Sequence, residues 1–260
     1  MSADPRLLAY HRRALGWSLV LLALAAASLF LVGKHPPELA PLTTVPFIGR
    51  FDATVDRAMD DIRILPLTWL CRVLNVLGSG WVTIPVRIAA LIYLAVRRHW
   101  ARALAFALTW ATSEIALQIL KTSFHRGRPP NPLVLTHDFS FPSGHAVATA
   151  ATSVALVLAL LPPGDRRRKW EWLAVALSFV MSFSRVYLAA HWFSDVAVGT
   201  LLGAGIAIFW AAFVTECRDV ILRAQGRPLA SVFEPGQAPE PRSPGPPDPD
   251  PTTGPAQDEK

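Results

Sequence analysis

Lysine, cysteine and charge are all scarce in this chain of 260 residues. Its only lysines are Lys34, Lys121, Lys169 and Lys260, and its only cysteines are Cys71 and Cys217. Two cysteines exclude a disulfide-rich secreted scaffold, and they form no metal-type spacing. Charged residues make up 17%, well below the roughly one quarter of an ordinary soluble domain. Hydrophobic residues reach 52%, which excludes a chain disordered over most of its length. The sequence contains no P-loop, no nucleotide-binding glycine pattern and no internal repeat.

The hydrophobic residues come in long runs. Leu15–Val32 carries no charge. At about 1.5 Å per residue its eighteen residues reach roughly 27 Å, close to a bilayer core. Ala25–Ala27 offers small residues for signal-peptide cleavage, but the apolar run continues through Leu29–Val32, so the segment reads as an uncleaved anchor. Five further runs follow, Trp81–Val96, Ala103–Leu120, Gly144–Leu161, Trp170–Tyr187 and Phe193–Val214. Several are short, and tilt must help them span.

The net charge of +6 divides unevenly. Past Pro228 there are six acids against two bases, so the rest of the chain carries +10. The bases flank the apolar runs, at Arg12–Arg13, Arg97–Arg102, Arg166–Lys169 and Arg218–Arg223. Placing those clusters in the cytoplasm satisfies the positive-inside rule with six spans. The expected fold is therefore all-α: a membrane bundle of six transmembrane helices with both termini cytoplasmic. Phe51–Leu77, interrupted by Arg72, is expected as an interfacial amphipathic helical segment on the outer face, where Trp69 suits the headgroup region. A seventh span there would break the parity. On this topology Cys71 and Cys217 lie on opposite sides and cannot pair. Residues 1–14 form the cytoplasmic N-terminus, 15–225 the membrane domain and 226–260 a tail. Ten prolines between Pro228 and Pro255 make that tail an expected disordered segment.

Three polar clusters do not belong in a membrane. They are Lys121–Pro129, Phe141–His145 and Ser184–Asp195, and the topology brings all three to the outer ends of their helices. Lys121, Arg128 and Arg185 together suit an anion of more than one charge, such as phosphate. Ser143 and Gly144 open a helix, where free backbone N–H groups and the dipole favour an anion. His191 and Asp195 are four apart, as neighbours on a helix would be. The carboxylate would fix the tautomer of His191 and leave its other nitrogen nucleophilic, while His145 would protonate a leaving oxygen. A metal site from His145, His191 and Asp195 is a rival, opposed by the surplus of cations around it. No cofactor is expected.

These clusters resemble the tripartite signature of the type 2 phosphatidic acid phosphatase (PAP2) superfamily, K-x6-R-P, P-S-G-H and S-R-x5-H-x3-D. All three parts match in order, and the resemblance covers about residues 15–214. It implies a helical bundle that hydrolyses lipid phosphate monoesters or diphosphates without metal. It also implies that the histidine matching His191 becomes phosphorylated, oriented by the aspartate matching Asp195, while the one matching His145 acts as acid. The residues matching Lys121, Arg128, Ser143, Gly144 and Arg185 would bind phosphate. The superfamily also includes soluble vanadate-dependent haloperoxidases, which six apolar spans disfavour.

The expected partners are thus the bilayer and a lipid phosphate entering sideways from it, with no nucleic acid and no obligate protein partner. Undecaprenyl diphosphate, phosphatidylglycerophosphate and phosphatidate types all qualify, and selectivity is expected in residues 34–78 and the groove between spans. The site is expected at the outer, periplasmic face of the cell membrane. A lipid phosphotransferase would use the same histidine, and an anion transporter would use the cations without it. Elsewhere, Arg87 and Glu114 are expected to pair across the second and third spans, since a lone charge there is costly. Gly199 and Gly203 are expected to bring helices of one monomer close together. His125, His137 and Asp138 read as loop polarity, and Arg126 as a contact to an anionic lipid surface.

Overall fold

The computed structural model describes residues 5–32 and 46–225; residues 1–4, 33–45 and 226–260, the expected disordered tail among them, lie outside the described residues. Among the described residues there are eight helices and no strand. They are α1 (Pro5–Val32), α2 (Pro46–Asp61), α3 (Leu65–Leu77), α4 (Gly80–Val96), α5 (Trp100–Phe124), α6 (Gly144–Leu160), α7 (Asp165–Tyr187) and α8 (Phe193–Ala224).

α8 is the central post, packed against α1, α5, α6 and α7. Its glycines explain the closeness. A Cβ on Gly203 would lie 2.5 Å from the Val147 carbonyl of α6, and one on Gly199 would lie 2.9 Å from the Ser143 carbonyl. A Cβ on Gly205 would lie 3.0 Å from Leu22 of α1. The small-residue stripe thus works inside the monomer, as expected. Two apolar clusters fill the bundle along its length. One joins Leu94, Phe106, Ala155 and Ala207, and the other joins Ala25, Val32, Phe124, Phe141 and Val198.

By length and composition α5 and α8 can cross a bilayer, and α3 with α4 makes a third candidate if the pair is one span bent by 45°. Arg13–Ser28 and Gly144–Leu160 are apolar but shorter. α7 begins with Asp165 and the basic run Arg166–Lys169, which dilutes its apolar character. Trp69, Trp81, Trp100 and Trp172 are exposed, as expected of aromatics meeting lipid rather than water.

The expected interfacial segment at 51–77 is not one helix. It breaks at residues 62–64 because Pro66, in the first turn of α3, has no N–H to give to the Ile62 carbonyl and its ring would clash there in a continuous helix. Tyr187, at the end of α7, ties the break down: Ile64 N–H donates to its hydroxyl at 2.9 Å. α3 is followed by α4 across a two-residue elbow at Gly78 and Ser79. Gly78 at this elbow allows the approach, since a Cβ there would lie 2.6 Å from Met181 and 2.9 Å from the His145 ring.

Arg87 and Glu114 do pair, with Nη1 and Oε1 2.6 Å apart. Arg87 is buried, and Nε also donates to Thr152 Oγ1 at 2.8 Å, so its charge is fully served inside the bundle. Cys71 is buried, Cys217 is exposed, and both are free thiols.

Candidate active site

The three polar clusters meet at one end of the bundle. α5 contributes Lys121 and ends where His125 takes a left-handed conformation (φ 46°). The chain then runs through Arg126, Arg128 and Asp138 to Ser143, which caps α6. Arg185 closes α7, and His191 stands in the turn before α8.

His191 is buried and held at both nitrogens. Nδ1 lies 2.7 Å from the Ser140 carbonyl, which can only accept, so Nδ1 carries the proton. Nε2 is left with its lone pair, 3.2 Å from Arg128 Nη1. The unprotonated nitrogen therefore faces a cation of the kind that suits phosphate. Burial pushes the imidazole pKa down to about 4, and the charges of Arg128 and Arg185 push the same way against Asp195. His191 is accordingly neutral at ordinary pH.

The expected partnership of His191 and Asp195 takes a different form. His191 precedes the helix, so the two are not successive-turn neighbours, and Nδ1 lies 3.7 Å from Asp195 Oδ2. That is an electrostatic contact rather than a hydrogen bond. Asp195 instead accepts Trp192 N–H at 2.9 Å, capping α8, and accepts the Ser140 hydroxyl. It acts on His191 through Ser140, whose carbonyl sets the tautomer.

Behind Asp195 lies a buried network that the sequence did not reveal. Arg126 Nη1 donates to Asp195 Oδ1 at 2.5 Å, and Nη2 donates to Asp52 Oδ2 at 2.7 Å. Asp52, from α2, also accepts Ser194 N–H at 2.9 Å and its hydroxyl at 2.6 Å. Arg126 is thus an internal strut and not the expected contact to a lipid surface. Its position between the named residues of a motif gave no sign of this, and Asp52 on an amphipathic helix reads as a solvated charge.

His145 Nε2 lies 2.9 Å from the Asn75 carbonyl, so Nε2–H donates and Nδ1 is the nitrogen free for chemistry. The side chain of Asn75 accepts from Arg185 Nη1. One residue at the end of α3 therefore orients both, a role that no feature of Leu65–Leu77 foretold. Ser143 Oγ and Arg185 Nε are buried without a hydrogen-bond partner among the described residues. Together with the first-turn N–H groups of α6, they form a set of donors matched to an anion. A Cβ on Gly144 would meet only Leu117 at 3.4 Å, so packing alone does not demand glycine there. Lys121 and Arg128 both bind Asp138, which loop polarity alone does not explain. Among the described residues no three His, Cys, Asp or Glu side chains form a group that could hold a metal ion.

Comparison with known proteins fits this site. The PAP2 superfamily profile matches residues 100–219. Undecaprenyl-diphosphatase of Sulfolobus acidocaldarius is 28% identical over 165 residues, which is 60% of this chain and 75% of that one. Decaprenylphosphoryl-5-phosphoribose phosphatase of Mycobacterium tuberculosis is 33% identical over 132 residues, covering 49% and 67%. The crystal structure of a transmembrane PAP2-type phosphatidylglycerolphosphate phosphatase from Bacillus subtilis superposes with a TM-score of 0.63 at 25% identity, over 80% of this chain and 96% of that one. The chain belongs to the PAP2 superfamily. It is a phosphatase, a hydrolase of phosphate esters or diphosphates.

Proposed function

We propose that residues 15–225 form a membrane-embedded phosphatase that removes phosphate from a lipid phosphate or diphosphate through a phosphohistidine at His191, without metal. The observation that carries this reading is the state of His191: its protonated Nδ1 is on the Ser140 carbonyl, and its unprotonated Nε2 is 3.2 Å from Arg128. That is a nucleophile aimed at an anion site.

The geometry supports the following reaction. Lys121, Arg128 and Arg185 hold the phosphoryl oxygens, with Ser143 and the start of α6 donating further hydrogen bonds. Nε2 of His191 attacks phosphorus, and the P–O bond to the leaving group breaks. With the phosphate's negative charge bound beside it, His145, anchored by Nε2–H on Asn75, takes up a proton at Nδ1 from solvent and gives it to the leaving oxygen. Water then attacks the phosphohistidine, His145 takes its proton, the N–P bond breaks and inorganic phosphate leaves. The cations offset the charge of the transferring group throughout.

Relatives named for undecaprenyl diphosphate, decaprenylphosphoryl-5-phosphoribose and phosphatidylglycerophosphate support a lipid substrate of this class. The basic clusters at the far helix ends support six spans, cytoplasmic termini and a site on the outer, periplasmic face of the cell membrane.

The test is phosphate release by detergent-purified protein, with EDTA throughout, on a panel of lipid phosphates and diphosphates. Release that survives EDTA and disappears in His191→Ala is expected. Release by the variant would remove His191 as nucleophile, and loss in EDTA would remove the metal-free step.

A further inference from the structure

Two of the three cations assigned to phosphate are engaged by an anion of the chain itself. Lys121 Nζ lies 2.8 Å from Asp138 Oδ2, and Arg128 Nη2 pairs with Asp138 Oδ1. The neighbouring backbone adds to the grip: Arg128 Nε donates to the Asp138 carbonyl at 2.8 Å, and Lys121 Nζ to the Phe139 carbonyl at 2.5 Å. The side chain of Asp138 is 58% exposed, whereas those of Lys121 and Arg128 are 8% and 13% exposed. The carboxylate therefore covers the two cations from the open side. Burial works against its charge, but Lys121 and then Arg128 outweigh that and hold the carboxyl below its ordinary pKa.

A carboxylate shared between two buried cations is an internal stand-in for a phosphate group. Any phosphate that reaches Lys121 and Arg128 has to displace it. We propose that Asp138 is a specificity-determining residue, a resident monoanion that yields to terminal phosphates but not to the singly charged phosphodiester headgroups that surround the protein. This rests on the phosphate-binding role proposed above for Lys121 and Arg128. The reason is electrostatic. Exchanging one negative charge for another gains nothing from the two cations, whereas each additional charge on a monoester or diphosphate does. The tether also gives Asp138 a high effective concentration, so a diester of equal charge competes at a disadvantage. A bare three-cation site in a bilayer would fill with bulk phospholipid; the carboxylate prevents this.

The experiment compares the full chain in detergent with Asp138→Asn, and with Asp138→Ala as a second variant. Calorimetry measures binding of inorganic phosphate, a dianion at mildly alkaline pH, and of dimethyl phosphate, a monoanionic diester. Both should bind the variants more tightly, by a similar factor of roughly threefold to tenfold for partly exposed ion pairs, since each displaces the same carboxylate, and dimethyl phosphate, the weaker ligand, should thereby rise into measurable occupancy. In a parallel assay, phosphatidylglycerol added to mixed micelles should inhibit lipid phosphate hydrolysis more strongly in the variants than in wild type. Equal or weaker diester binding by both variants would overturn the inference and leave Asp138 as an aligner of the cations, with the phosphatase reading intact. Failure of wild type to bind phosphate or to release it would remove both readings.

Discussion

Arg126 reaches Asp195 at 2.5 Å while its other nitrogen holds Asp52 at 2.7 Å, so one guanidinium bridges α2 to the start of α8. All three side chains are buried, and Asp195 is wholly inaccessible.

Removing that guanidinium leaves two buried carboxylates without their cation. Arg126→Ala should therefore lose about 3–5 kcal/mol of stability, read as a large fall in Tm. Arg126→Lys should fall between, because a single ammonium cannot serve both carboxylates as a fork does. An unchanged Tm in Arg126→Ala would contradict the strut.

Asp195→Asn tests how His191 is oriented. If the carboxylate set the tautomer directly, its loss would cost about 10⁴ in kcat. Here the Ser140 carbonyl sets it and survives the substitution. The expected loss in folded variant is nearer 10- to 100-fold, from weaker stabilisation of charge at His191. A loss of the full size would mean that Asp195 acts directly.

Acid should weaken the folded state through His191. Its folded pKa is about 4, below the ordinary imidazole value of 6.5. Between these values the unfolded chain binds a proton that the folded chain does not. Stability is complete above 6.5 and falls as pH drops towards 4, by at most on the order of 3 kcal/mol. Thermal unfolding of wild type and His191→Gln over this range should converge on acidification. Parallel curves would refute the assignment.

Gly203→Ala should cost about 1–3 kcal/mol, because its Cβ would press on the Val147 carbonyl, which is backbone and cannot turn aside. Gly16→Ala is the control, since a Cβ there meets nothing within 4 Å. Equal Tm shifts in the two variants would mean that α6 and α8 are not in tight contact.

Much of the all-helical fold was legible because apolar runs and basic flanks are one-dimensional signals. Gly144 and Phe193 begin their helices where the apolar runs begin, and Lys121, His145, Arg185 and His191 meet because Lys121 and Arg185 stand near the ends of α5 and α7 while His145 opens α6 and His191 just precedes α8. The break at residues 62–64 was less visible, since an amphipathic stretch with one proline reads equally as one helix or two. Four supporting residues escaped for a shared reason. Asp52, Asn75, Arg126 and Ser140 act through tertiary hydrogen bonds to partners distant in sequence, and Ser140 and Asn75 do so partly through their carbonyls. A backbone carbonyl has no residue identity for a sequence to display. The spacing of His191 and Asp195 did bring the carboxylate to 3.7 Å from Nδ1, but not on one helical face, because Trp192 caps α8 after His191 and places only Asp195 within the helix.

The contact of Gly199 and Gly203 with α6 bears on how the protein lives in lipid. Ser143 N–H also donates to the Asp195 carbonyl at 3.1 Å, so the first turns of α6 and α8 are joined at the top as well as along their length. Sliding one helix by a single turn would part them by about 5.4 Å. Bilayers differ in thickness, and spans answer by tilting. Here any tilt of α8 has to carry α6 with it, so the distance from His191 to the start of α6 stays fixed as α8 tilts.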